Sequence, residues 1–141
     1  MQAVMYDHFG DESVLSVREA ALPQAARGEV QVRVRMASLN PIDFKLRSGI
    51  MRMVGRPKRP AITGKDFAGE ISALGAGIQD YRVGQRVFGS VDPMGGQGSC
   101  AQFVAVSRSA KVVASGQDAA AGQPGFAFEA GHVVALPAMH G

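Results

Sequence analysis

Tryptophan is absent from this 141-residue chain, and cysteine occurs once, as Cys100. A lone cysteine excludes an internal disulfide framework. Histidine is almost as scarce. His8, His132 and His140 are scattered, and together with Cys100 they give no pair at the close spacing of a structural zinc site. No apolar run approaches the ~20 residues of a membrane-crossing helix. The first twelve residues carry Asp7, Asp11 and Glu12 and lack the apolar stretch of a signal peptide. A cytoplasmic protein is therefore expected. Aromatic residues make up 6% of the chain and are not interleaved with basic ones, so nucleic acid is not expected among its partners, and the lack of a spanning run leaves no membrane partner expected.

The residues that are present describe a globular domain. The hydrophobic fraction is 46%, the charged fraction 19%, and fifteen basic against twelve acidic side chains leave a mild charge of +3. Eighteen glycines, against a usual share of about 7%, favour a fold with many tight turns. One dense basic stretch, Arg52, Arg56, Lys58 and Arg59, is broken by Gly55, Pro57 and Pro60. It reads as a solvated loop, or else as an edge that attracts an anionic ligand such as a cofactor phosphate.

Strands dominate the pattern. Gln2–Tyr6 reads as an opening strand and Leu15–Glu19 as a second, with Leu15 and Val17 on one face. Over Glu29–Ser38, Val30, Val32, Val34 and Met36 alternate with Gln31, Arg33 and Arg35, the two-residue period of a strand with a buried face and a charged solvent face. Asn40–Gly49 then reads as a short helix. Asn40 suits the N-cap, Pro41 the first turn, Asp43 the positive end of the dipole and Gly49 a left-handed stop. Further strands are expected over Asp66–Leu74, Gln85–Val91, Cys100–Val106 and, at an edge, Lys111–Ala114. Ser115–Gly125 reads as a linker, and Phe126–Leu136 as a helix ended near Pro137. Many short strands with glycine-rich turns and little helix predict a mainly β fold, a partly open barrel with one or two short helices. Residues 1–114 form the domain, and 115–141 a linker with the start of a crossover.

Chemistry-bearing motifs are few. Gly96-Gln97-Gly98-Ser99-Cys100-Ala101 matches G-x-G-x-x-A, but a strand pattern follows it where a dinucleotide loop requires a helix. Gly75-Ala76-Gly77 lacks the third glycine, Asp80 standing in its place. Cys100 has no neighbour in sequence that would lower its pKa, and reads as a buried, inert thiol. The polar cluster Asn40, Asp43 and Lys45, with Lys65 and Asp66 later, remains. Capping and solvation can account for its first three members, so spacing alone leaves both a structural and a functional reading open.

A resemblance adds to this reading. Met1-Gln2-Ala3-Val4 opens the series, followed by His8-Phe9-Gly10 before Val14-Leu15, and by Gly28-Glu29-Val30-Gln31-Val32-Arg33-Val34. Next come Ser38-Leu39-Asn40-Pro41-Ile42-Asp43-Phe44-Lys45-Leu46-Arg47-Ser48-Gly49 and Gly64-Lys65-Asp66-Phe67-Ala68-Gly69. Val83-Gly84-Gln85-Arg86-Val87-Phe88-Gly89 and Gly98-Ser99-Cys100-Ala101-Gln102-Phe103 close it. In this order, over residues 1 to 113, the motifs resemble the N-terminal GroES-like domain of the medium-chain dehydrogenase/reductase superfamily, in its zinc-independent quinone oxidoreductase branch. A weaker echo spans Glu129–Pro137.

The resemblance implies hydride transfer from NADPH to a quinone or an activated enone, without zinc, because Asn40 and Lys65 stand where zinc-dependent relatives place a cysteine and a histidine ligand. It implies that Asn40 faces the nicotinamide ribose and the substrate, that Lys45 beside Asp43 fixes a ribose or substrate oxygen, and that Asp66 supports the cleft wall from behind. The catalytic proton donor is not identified. The family usually has an aromatic residue at the position of Cys100. It holds its cofactor against a Rossmann domain, whose βαβ unit and glycine-rich loop do not occur here. This chain is therefore expected to bind NADPH weakly and to be inactive alone, with a Rossmann-domain partner or a homodimer as possible assemblies. The competing expectation is a non-catalytic binding or dimerisation module derived from the same domain.

Overall fold

The computed structural model of the chain describes residues 1–92, 95, 97–107, 112–114 and 132–135. The fold is mainly β, with two antiparallel sheets and a single α-helix among these residues. The smaller sheet contains β1 (Gln2–Tyr6), β2 (Ser16–Glu19) and β4 (Ala61–Ile62), with β1 in the centre. The larger runs β7 (Phe103–Ser107), β3 (Glu29–Leu39), β5 (Asp66–Leu74), β6 (Arg86–Ser90) and β8 (Val112–Ala114). A ninth strand, β9 (His132–Ala135), joins the edge of β3 beyond β7. The two sheets are stitched together before β7, where Val4 N–H donates to Cys100 O at 2.9 Å and Cys100 N–H to Thr63 O at 2.9 Å.

The core follows from β3. Val30, Val32 and Val34 point inward and meet Phe67, Ile71, Val87 and Val104, all at most 5% exposed. Each such side chain stabilises the fold by roughly 1.5–3 kcal/mol through burial. The outward charged face is real for Arg33 and Arg35, which are exposed. Gln31 departs from it: this side chain is buried, donating to Pro23 O at 2.7 Å and accepting from Ser72 Oγ at 2.7 Å. Beyond Val34 the period breaks. A register shift between Val34 and Met36 leaves Arg35 and Met36 both outward, so that Ala37 and Ser38 become buried. This is the signature of a β-bulge, which spends two residues of one strand against one of its neighbour.

Other expectations also need correction. β2 begins at Ser16 rather than Leu15, and Val17 on it is 66% exposed. The last long strand begins at Phe103 rather than Cys100. His132–Ala135, expected within a helix, is a strand, because the open edge of β3 at Met36–Leu39 supplies ladder partners that outweigh the local pattern. The rest of that expected helix, the expected linker 115–125 and His140 lie outside the described residues.

Candidate functional site

β3 delivers the chain into α1 (Pro41–Ser48) through Asn40, an extended N-cap with φ −119° and ψ 164°. Pro41 starts the helix, as its fixed φ and missing donor favour. Asp43 closes the entrance: Asn40 N–H donates to Asp43 Oδ2 at 2.8 Å. Gly49 ends the helix at φ +81°, a conformation open to glycine at little cost.

Strand register then gathers the polar side chains. Ser38 on β3 is paired with Asp66 on β5, and Asp66 with Ser90 on β6, so the three lie in one row across the sheet. Asp66 is the acceptor of that row. Its Oδ1 receives Ser90 Oγ–H at 2.7 Å; its Oδ2 receives Asn40 Nδ2–H at 2.6 Å and, more weakly, Ser38 Oγ–H at 3.4 Å. A carboxylate only accepts, so it must face the amide nitrogen of Asn40. Oδ1 is left as the acceptor that Asn40 can offer at the helix entrance.

Asp43 lies beside this row, 4% exposed. Burial pushes its carboxyl above the ordinary range and the nearby charge of Asp66 pushes the same way, while the Asn40 and Gly64 amides and the Lys65 charge oppose the rise. Gly64, at φ +95°, lets the chain pass close beneath: a Cβ there would stand 2.5 Å from Ser99 Oγ and 2.8 Å from Cys100 Sγ. Cys100 is 6% exposed, and burial, with a smaller push from Asp43, raises its thiol to about 12. That agrees with an inert thiol.

The structure thus brings Asn40, Asp43 and Asp66 together. Lys45 stands apart on the exposed side of α1 and forms no ion pair among the described residues. Residues two apart on a helix do not share a face, so adjacency to Asp43 in sequence does not become contact. Ser38 and Ser90 were not foreseen. Neither belongs to a charged or nucleophilic pattern, and only the strand register would have revealed them.

In the described part of the G-x-G-x-x-A segment, Gly98 and Ser99 lie against backbone. A Cβ on Gly98 would collide with the carbonyl oxygens of Ile62 and Thr63, and Ser99 N–H donates to Gly64 O at 3.1 Å. The chain then enters β7 rather than a helix. That glycine serves close packing, and no helix N-terminus forms there to hold pyrophosphate. Among the described residues no three His, Cys, Asp or Glu side chains are grouped to hold a metal ion.

Known proteins are similar to this chain in sequence and in fold. A chloroplastic quinone oxidoreductase of Triphysaria versicolor is 33% identical over 99 residues, 70% of this chain and 30% of that protein. An NADPH-dependent alkenal/one oxidoreductase of Arabidopsis thaliana chloroplasts is 30% identical over 112 residues, 75% of this chain and 29% of that protein. The chain therefore spans less than a third of the length of either relative. A solved alcohol dehydrogenase superfamily protein from Novosphingobium aromaticivorans superposes with a TM-score of 0.72 at 35% identity, over 81% of this chain and 34% of that one. Residues 26–138 match the model of the alcohol dehydrogenase GroES-like domain. An open β fold, a short helix entered through Asn40 and a match over most of the chain converge: the protein belongs to the alcohol dehydrogenase GroES-like domain family.

Proposed function

We propose that this chain is the substrate-facing domain of an NADPH-dependent oxidoreductase that reduces a quinone or an activated enone. The observation that carries the reading is the bond from Asn40 Nδ2 to Asp66 Oδ2 at 2.6 Å. It fixes which end of the carboxamide accepts, and a fixed acceptor beside a helix entrance suits a ribose or substrate hydroxyl. Relatives named for quinone and for NADPH-dependent alkenal/one reduction supply the substrate classes and the nucleotide. The donor set fits the nicotinamide–ribose end of that cofactor.

When bound, NADPH supplies a hydride. The protein's contribution is positional. Asn40 accepts from a hydroxyl and holds it, Asp66 with Ser90 prevents the carboxamide from turning, and Lys45 places a positive charge near the same helix, where it can meet a ribose or substrate oxygen. The zinc positions of related dehydrogenases are held by Asn40 and Lys65, an amide and an ammonium that do not replace thiolate and imidazole.

The test is an NMR titration of the chain with NADPH and then with a simple quinone. The side-chain amide of Asn40 should shift on titration, the backbone amides of Asp43, Lys45 and Asp66 should move with it, and Asn40→Ala should weaken the response. Shifts confined to a distant surface, or none with either compound, would overturn the reading.

A further inference from the structure

We propose that the turn following α1 is a docking tip for an anionic membrane surface. Residues 44–65 contain seven basic side chains (Lys45, Arg47, Arg52, Arg56, Lys58, Arg59 and Lys65) and no acidic one. The rest of the chain carries eight basic and twelve acidic residues, a balance of −4. The molecule is therefore polarised, with its excess positive charge concentrated in one segment.

Apolar side chains stand in the same place. Ile50, Met53 and Val54 are 74%, 90% and 85% exposed, the three most exposed large hydrophobic residues described, and Phe44 is exposed at 41%. Arg52, Arg56, Lys58 and Arg59 are exposed around them, and none pairs with a carboxylate among the described residues. An apolar tip with an unpaired basic rim matches the interfacial region of a bilayer, where apolar side chains sit below the headgroups and cations meet lipid phosphates.

The backbone suits this use. Arg52 N–H donates to Gly49 O at 3.0 Å, while Val54 N–H and Gly55 N–H both donate to Met51 O, at 2.9 and 3.0 Å. A turn that satisfies these amides internally can approach a low-dielectric layer at less cost than an open loop. The segment is also anchored, since Pro57 is buried and the guanidinium of Arg59 lies 4.6 Å over the ring of Phe9. A protein partner would have to supply acidic groups around an apolar pocket; anionic lipid supplies both features over an extended surface. The expectation of no membrane partner rested on the lack of a span, and no helix among the described residues is long and apolar enough to cross. Surface docking needs no span. The exposure of Ile50, Met53 and Val54, which the sequence does not reveal, changes that expectation. The proposal does not depend on the reading of Asn40.

The experiment is co-sedimentation of the full chain with vesicles of phosphatidylcholine alone or mixed with phosphatidylglycerol. Retention is expected on the mixed vesicles only, and should fall as salt is raised. Removing the tip's apolar groups (Met53→Ser with Val54→Ser) or its charge (Arg52→Gln, Arg56→Gln and Lys58→Gln) should each weaken retention about tenfold or more, since each removes one of the two attractions, apolar burial or contact with anionic headgroups. All five positions are exposed, so the variants should keep the fold, which circular dichroism would verify. Failure to bind mixed vesicles, equal binding to neutral ones, or unaltered retention of both variants would overturn the proposal. So would variants that change only the sedimentation of the free protein, because the tip would then join copies of the chain.

Discussion

The amide nitrogen of Asn40 lies 2.6 Å from Oδ2 of Asp66, 26 residues later in the chain, and the other oxygen of that carboxylate is held by Ser90. One acidic side chain therefore ties the helix entrance to two strands. Asn40→Ala should destabilise the fold by about 1–3 kcal/mol, the cost of leaving a partly buried acceptor without its partner. Asn40→Asp should cost more, because it sets two carboxylates against each other, and the excess should shrink in acid as one of them takes a proton. Urea unfolding at two pH values checks both. Equal losses at both pH values would mean that Asp66 does not sense the substitution.

Ser90→Ala tests the far side of the same group. It should cost about 0.5–1.5 kcal/mol, as for loss of an ordinary hydrogen bond. The Asn40 side-chain amide resonances should also shift, although Ser90 does not touch Asn40. An unchanged Asn40 signal would separate the two bonds.

Asp43 gives a pH dependence whose sign can be stated. Its carboxyl titrates above the ordinary value of 3.8 in the folded protein, chiefly through burial. A carboxyl raised in this way favours the folded state while it is protonated, and that contribution is lost as pH rises from below 3.8 through the raised value. Asp43→Asn should remove this loss, so the stability of the native protein relative to the variant should fall as pH is raised through the carboxylate range. Denaturant midpoints measured across that range report the difference. A constant difference would show that Asp43 titrates alike in the folded and unfolded chains.

Cys100 should be chemically silent until the fold opens. With its thiol raised to about 12 and 6% exposed, almost none is thiolate at neutral pH. Its reaction with an aromatic disulfide reagent should follow the rate or population of unfolding. Prompt reaction of the folded protein would contradict this burial.

Gly64→Ala should be poorly tolerated. The substitution combines a left-handed φ of +95° with a Cβ 2.5 Å from Ser99 Oγ. The left-handed conformation alone costs about 1–2 kcal/mol, and relief of the contact would displace the segment carrying Cys100. Thermal unfolding should show the loss, and a melting temperature matching that of the native protein would refute it.

Much of this architecture was legible from local pattern. The valines of β3 up to Val34, the boundaries of β1 and β5, and the helix from Pro41 to Gly49 follow from alternation, capping chemistry and glycine placement. Legibility ended where distant parts of the chain decide. The buried Gln31 depends on Pro23 and Ser72, which approach it only after the sheet forms. Ser38, Asp66 and Ser90 meet through register across three strands. Lys45 was grouped with Asp43 by closeness in sequence, whereas the helix turns them to different sides. His132–Ala135 carries an ambiguous pattern that an available strand edge resolves.

The bulge between Val34 and Met36 divides β3 into two compartments with separate obligations. Before it, inward positions are occupied by Val30, Val32 and Val34, and substitution there is judged by volume and packing. After it, the opposite parity faces inward at Ala37 and Leu39, where the strand ends, and Ser38 and Asn40 fall on the other parity, where polar geometry matters. A single extra residue thus uncouples two selective pressures that a regular strand would impose on one face. The site end can change its chemistry without forcing the valine end to repack, and deleting that residue would leave Val34 and Ala37 two apart on one regular inward face.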